Sequence, residues 1–250
     1  MRRRIYQLKI WMAQTAVVLA IVGLWLYVTG PGGVSPLLIA PPGDTLQELW
    51  QLIWSPGTWS DVATTGSEIV AAVLIAVSSG FVIGFLGSRT AFRLEVWEPL
   101  VALGYTIPFV VFYPLLLLWL GIDEASKIAF GALNGFFAMA LNTMKGFKSV
   151  DQKLVRTAYA FGATPRQIEW AIKLPAAMPI VLSGVRIATA LALITVIFAE
   201  MVGSRKGLGF QLAKTTGTLQ TSLSYAYIIF ILMFVGILHV IIERASSTRR

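Results

Sequence analysis

The chain has 250 residues, of which 56% are hydrophobic and only 13% charged, a formal net charge of +8 and a mean hydropathy of +0.75. A soluble domain carries about 25% charged residues to cover its surface, so a large part of this chain's surface must face lipid. High apolar content excludes disorder, glycine without a triplet period excludes collagen, and the absence of cysteine excludes a disulfide scaffold.

An ionised side chain at mid-bilayer costs a few kcal/mol, so the charges divide the chain into candidate spans. Uncharged runs of 34 residues (Ile10 to Gly43), 20 (Ile69 to Ser88), 24 (Pro99 to Ile122), 17 (Ile128 to Met144) and 28 (Thr215 to Ile242) can each hold one crossing. A crossing needs roughly 20 residues. A sixth segment contains Arg186 and Glu200 but is otherwise apolar or small. The expected fold is therefore an all-α membrane protein forming one transmembrane domain, 1–250. Its six transmembrane helices are expected at about 11–28, 67–88, 99–120, 127–145, 176–202 and 224–243. The first run, Trp11 to Val28, follows three arginines but exceeds the roughly 7 to 15 residues of a signal-peptide core, so it is expected to stay as an uncleaved span.

Lysine and arginine near span ends remain cytoplasmic. With the N-terminus inside, the inner segments hold Arg2, Arg3, Arg4, Lys9, Arg89, Arg93, Lys145, Lys148, Lys153, Arg156, Arg166, Lys173, Arg244, Arg249 and Arg250, which is 15 of 20. The outer segments hold Lys127, Arg205, Lys206 and Lys214. Both termini are therefore expected to be cytoplasmic, and the positive charge reads as an orientation signal with anionic lipid contact rather than a nucleic-acid surface.

The outer connector from Gly30 to about Asp61 is rich in glycine and proline. Within it Thr45 to Trp54 predicts a short helix capped by Asp44, with Leu46, Leu49, Trp50, Leu52 and Ile53 to one side and Trp50, Trp54 and Trp59 at headgroup depth. The segment 150–175 between spans four and five is the longest inner loop and predicts two short helices. Asp151 caps the first, which presents Leu154, Val155, Ala158 and Phe161. Gly162 supplies a left-handed stop. Thr164, Pro165, Arg166 and Gln167 form a capping box with proline at the first helical position. Ile168, Ala171 and Ile172 continue the second helix, and Leu174 and Pro175 turn into the fifth span. A helix, a glycine corner and a second helix make a rigid knob suited to docking a partner.

Gly162, a nine-residue interval and then Ile172, Lys173, Leu174 and Pro175 resemble the cytoplasmic loop motif of ABC importer permeases, E-A-A, three residues, Gly, nine residues, I-x-L-P. Leu115 to Ile122, Asn142 to Thr143, Gly162 to Thr164, Leu174 to Pro179, Gly184 to Arg186, Ala199 to Met201 and Gly207 to Gly209 extend the likeness to the nitrate, sulfonate, taurine and bicarbonate branch. It covers about Pro41 to Arg244. The resemblance implies a permease subunit of the bacterial inner membrane that works with a second permease subunit, two separate ATPase subunits docked on the loop, and an external solute-binding protein. Leu154, Arg156, Thr157, Ala158, Phe161, Gly162, Ala163, Thr164, Ile172, Leu174 and Pro175 would form the ATPase-coupling surface. The acidic motif position is Arg156 here and the first alanine is Thr157, so only Ala158 is kept. No Gly-Lys dipeptide occurs, hence no phosphate loop, and ATP with Mg would bind the partner ATPase rather than this chain. The implied solute is a small organic or inorganic anion.

Candidate pathway or gate residues are Tyr105, Pro108, Pro114, Asn134, Asn142, Arg186, Thr195 and Glu200. Arg186 and Glu200 are 14 residues apart, about 21 Å along one helix, so each needs a partner elsewhere, whether structural or in the pathway. Asn134, Asn142 and Thr195 read first as links between helices. Pro108 and Pro114 interrupt span three and free carbonyls that either line a pathway or only kink the packing. His239 is alone and reads as a packed interfacial residue, so no metal cluster is expected. An intramembrane enzyme lacks its acid, base and nucleophile. An ATP-independent transporter or channel fits the topology, but neither internal repeats nor a selectivity segment is present.

Overall fold

A computed structural model describes residues 2–247. The side chains of 2–5, 7–9, 239 and 242–247 lie outside the described residues, and with them the expectations for Arg2, Arg3, Arg4, Lys9, His239 and Arg244; Arg249 and Arg250 also lie outside. Regular structure among the described residues is helical throughout: α1 (Arg2–Thr29), α2 (Pro42–Trp54), α3 (Pro56–Ser88), α4 (Ala91–Thr106), a 3-10 turn (Phe109–Phe112), α5 (Tyr113–Leu120), α6 (Glu124–Lys148), α7 (Gln152–Ala160), α8 (Pro165–Gln167), a π-helical segment (Ile168–Lys173), α9 (Leu174–Gly203), α10 (Leu208–Gly217) and α11 (Thr221–Ser247).

Among the described residues four helical stretches are long and apolar enough to cross a membrane: Ile10–Thr29, Pro56–Gly87, Pro165–Gly203 and Thr221–Leu238. The pair Ala91–Thr106 and Phe109–Leu120, bent by 72°, supplies a fifth. The expected third span is thus a broken one. Pro108, which cannot donate a backbone hydrogen bond, sits at the break, whereas Pro114 is tolerated in the first turn of α5. The span expected at 67–88 begins earlier, because Pro56 opens α3 rather than continuing the connector. The turn from Leu174 into the fifth span is also absent. α8, the π segment and α9 form one continuous helix from Pro165 to Gly203, and the Leu174 N–H bonds Glu169 O across the wide π turn.

The chain divides into two compact units, one of Met1–Trp59 with Gln211–Met233 and one of Ser60–Phe210 with Phe234–Arg250. In the first unit Trp25 donates to Ala40 O at 2.9 Å and stacks on Tyr225, while Thr221 donates to Leu37 O at 2.8 Å. α2 starts at Pro42, so Asp44 lies in its first turn and is not the cap; Thr45 bonds Pro41 O there. Leu49 and Leu52 are buried with Thr45, but Leu46 and the three expected tryptophans remain exposed.

In the second unit α6 lies between α3 and α9. Two glycine pairs at four-residue spacing make this possible, Gly80 with Gly84 on α3 and Gly131 with Gly135 on α6. A Cβ on Gly84 would stand 2.6 Å from the Thr143 Cβ and 2.7 Å from Ala140 O, and one on Gly135 would stand 2.8 Å from the Ala76 Cβ and 3.0 Å from Ala188 O. Such approaches give packing contact where lipid tails compete equally for apolar surface. Met139, Ala138, Val181 and Ala188 fill one core, and Ile69, Ala72, Ala192 and Val196 another. α6 needs less apolar sequence than its neighbours because protein covers it.

Gly84→Leu should therefore destabilise the solubilised chain by about 1–3 kcal/mol or more through overpacking. Gly23→Leu, where a Cβ meets nothing within 4 Å, should leave the melting temperature unchanged in the same fluorescence assay.

Candidate functional site

Two sites lie in the second unit, a capped corner at one end of the Pro165–Gly203 helix and a buried polar cluster at the other.

The corner forms from local sequence. Asp151 accepts from Lys153 N at 2.8 Å and starts α7. At the other end Gly162 takes φ +80°, with Gly162 N bonded to Tyr159 O and Ala163 N to Ala158 O. These two bonds form a Schellman motif, which favours glycine at the left-handed position. Thr164 and Gln167 make the reciprocal capping box, with Thr164 N to Gln167 Oε1 at 2.8 Å. Val155 and Ile168 are buried and root both arms in the core, joined by partly buried Ala158, Ala163, Ile172 and Leu174. Phe85 links this root to the rest of the unit, packing against Phe147 at 5.4 Å and Trp170 at 5.8 Å.

The tip is the opposite. Phe161 is 88% exposed, and Leu154 and Tyr159 also project outward, so of Leu154, Val155, Ala158 and Phe161 only Val155 and Ala158 turn toward the core. Ala171 is likewise exposed. Arg156, Thr157, Thr164 and Pro165 face outward, as does Pro175, so the charge reversal at Arg156 disturbs nothing inside the fold.

At the far end Asp61, Thr65 and Glu68 share one face of α3. Thr65 donates to Glu200 Oε1 at 2.7 Å and accepts from Leu208 N at 2.9 Å; Glu200 Oε2 accepts from Gly209 N, and Asp61 Oδ1 from Gly207 N, both at 2.8 Å. Thr65 and Glu200 thus satisfy the first N–H groups of α10, and the carboxylate complements the dipole of that helix. Gly207 takes φ +104°, and a Cβ there would collide with the Glu200 carboxylate. Lys127 pairs with Glu68, with side chains 3% and 0% exposed, and also donates to Ser204 Oγ at 3.0 Å. Tyr113 donates to Ala199 O and stacks on Phe130.

Lys127 is therefore a buried ion-pair partner in the first turn of α6 rather than a solvated loop charge. Sequence reasoning missed Glu68, Lys127, Thr65 and Asp61; the four-residue spacing of Asp61 and Thr65 with Glu68 on an otherwise apolar helix was the available signal. Glu200 finds the outside partner that its separation from Arg186 required, and Arg186 is half-buried elsewhere on α9. Asn134, Asn142 and Thr195 donate to Phe130 O, Ala138 O and Leu191 O, each four residues back on its own helix. Tyr105, Pro108 and Pro114 are exposed. Among the described residues no three acidic or histidine side chains converge as metal ligands.

Residues 79–247 match the family described as binding-protein-dependent transport system inner membrane component. The taurine transport system permease protein TauC of Escherichia coli (strain K12) is 30% identical over 198 residues, 77% of this chain and 72% of that protein. The putative aliphatic sulfonates transport permease protein SsuC of Bacillus subtilis (strain 168) is 30% identical over 220 residues, 88% of this chain and 79% of that protein. In fold, the chain is similar to a structure of the inward-facing MetNI methionine ABC transporter, with TM-score 0.57 and 21% identity over 80% of this chain and 95% of that one. A bacterial ABC transporter involved in the import of the acidic polysaccharide alginate gives TM-score 0.67 and 13% identity over 99% and 97%. A helical, membrane-spanning chain with the corner motif and this match over most of its length belongs to the inner-membrane permease components of binding-protein-dependent ABC importers, transport subunits whose ATP is hydrolysed by a separate subunit.

Proposed function

We propose that the chain crosses the membrane six times with both termini cytoplasmic, and that the Leu154–Lys173 corner is the surface on which the ATPase subunit docks. The observation that carries this reading is the contrast within the corner: arms rooted by Val155 and Ile168, and a tip that leaves Phe161 in solvent. Burying such a ring on a partner is favourable by about 1.5–3 kcal/mol. α6 supplies the sixth crossing; it is less apolar than the others because α3 and α9, rather than lipid, cover it. A second permease subunit completes the pathway, and an external binding protein delivers the solute. A small sulfonate is the solute class, supported by relatives named for taurine and aliphatic sulfonates.

Movement of the corner passes into the Pro165–Gly203 helix, and so to the loop at 204–207. Tyr105, Pro108, Pro114, Asn134, Asn142 and Arg186 keep the pathway reading, being exposed or half-buried. Thr195 and Glu200 are enclosed by their own fold and take a structural one.

Gly162→Val should preserve insertion, because the spans do not depend on the corner, yet strain the left-handed position by about 1–2 kcal/mol. Association with the ATPase and sulfonate uptake in proteoliposomes carrying the binding protein should both fall. Wild-type association and uptake in that variant would remove the corner as the coupling element. Uptake of an unrelated solute but no sulfonate by the wild type would remove the solute assignment alone.

Lys127→Met leaves the Glu68 carboxylate buried without its cation and should cost about 3–5 kcal/mol of stability, read as lost folded yield. Adding Glu68→Leu should recover much of the yield, since an apolar pair of similar volume is often tolerated. Failure of the double variant to recover would give Glu68 a role beyond pairing.

Single cysteines at Ser60 and Thr218 in this thiol-free chain should react with an impermeant reagent from outside intact cells, and one at Ser149 should not. Labelling of Ser149 from outside would overturn the orientation.

A further inference from the structure

A cavity of about 540 Å³ opens beside the corner, where the end of α3, the start of α4 and the π segment converge. Arg89, Arg93, Arg166 and Lys173 line it, and Glu169 is the acidic residue among the lining side chains. Lys173 is taken by Glu169 at 2.7 Å, which leaves the three arginines. No carboxylate among the described residues stands within ion-pair distance of Arg89, Arg93 or Arg166. Three like charges around one cavity repel one another unless an anion occupies it.

The rest of the wall says what kind of anion. Phe85, Ile168 and Trp170 give it an apolar and aromatic side. Arg89 lies two residues past the membrane-length apolar stretch Pro56–Gly87, and Trp170 is 61% exposed, as interfacial tryptophans are. A soluble phosphate would use the arginines but not the apolar wall.

We propose that this cavity is a binding site for the phosphate headgroup of an anionic phospholipid of the inner leaflet, held by Arg89, Arg93 and Arg166 next to the coupling corner. The proposal rests on the orientation given above, which places these residues on the cytoplasmic side. Tyr159, at the tip of α7, also lines the cavity, so a bound headgroup would contact the corner itself. The site would then tie the docking surface to the membrane and make coupling sensitive to lipid composition.

The test is native mass spectrometry of the purified permease–ATPase complex titrated with phosphatidylglycerol or phosphatidylcholine. Phosphatidylglycerol should be retained preferentially at one site per permease chain. Arg89→Gln, Arg93→Gln and Arg166→Gln should each weaken retention about fivefold and the triple variant roughly a hundredfold. Lys145→Gln, an exposed cation on the same side but outside the cavity, should have no effect. Retention unchanged in the triple variant, an equal loss in Lys145→Gln, or equal competition by inorganic phosphate would each overturn the proposal. Loss of the ATPase with lipid retention intact would also overturn it, in favour of an acidic protein segment. The Ser149 labelling experiment, run on the same cells, separates an inverted topology from a failed lipid site.

Discussion

Bare backbone where α6 meets α3 and α9 is the constraint from which the second unit is built. Helices in lipid gain nothing from trading one apolar neighbour for another, so they associate where the backbones can come close. Gly84 sets α3 against Thr143 and Ala140, and Gly135 sets α6 between Ala76 and Ala188. With both faces of α6 covered, that helix is free to carry Lys127 in its first turns. The lysine in turn neutralises Glu68 on α3 and reaches Ser204 beyond α9. Close packing thus comes first, and the buried ionic network depends on it.

The same helix, Pro165–Gly203, has an anchored end and a presented end. At the presented end the corner is stiffened by two caps and a Schellman turn, so its tip is held rigidly against a well-packed root. Phe85, Phe147 and Trp170 carry that rigidity from the corner to α3 and α6. At the anchored end Glu200 and Thr65 fasten the N-terminus of α10, and Gly207 lets the loop pass over the carboxylate without a side chain in the way. A load applied at Phe161 is delivered to a hydrogen-bonded block rather than to a loose loop.

The features legible in the sequence are those with short-range causes. Asp151, Gly162 and the Thr164–Gln167 box needed only neighbours within a few residues, and all three formed as expected. Runs of apolar residues located the four membrane-length helices and the bent pair, but not their ends, since Pro56 opens a helix as readily as it closes a loop. What the sequence hid has long-range causes. Glu68 and Lys127 lie far apart in the chain, so the charge count treated them as span boundaries when they are one buried pair. α10, whose first N–H groups are satisfied from α3 and α9, could not be recognised without those partners. Asn134 and Asn142 turn back on their own helices because a carbonyl one turn away is always within reach. The break at Ile107 and Pro108 was visible as a proline; its 72° angle was not.

The π turn at Ile168–Lys173 governs the direction in which the corner points. A π turn is what an α-helix becomes when one residue is added without moving either end. Each residue of an α-helix advances the azimuth by about 100°. Winding the same residues as a regular α-helix, with the surplus residue kept in the spiral, would swing α7 and Phe161 around the helix axis by about that angle while the caps within the corner and the core contacts of α9 stayed in place. The chain therefore stores the aim of its exposed tip as a phase, set by a single surplus residue, independently of the forces that hold the tip together.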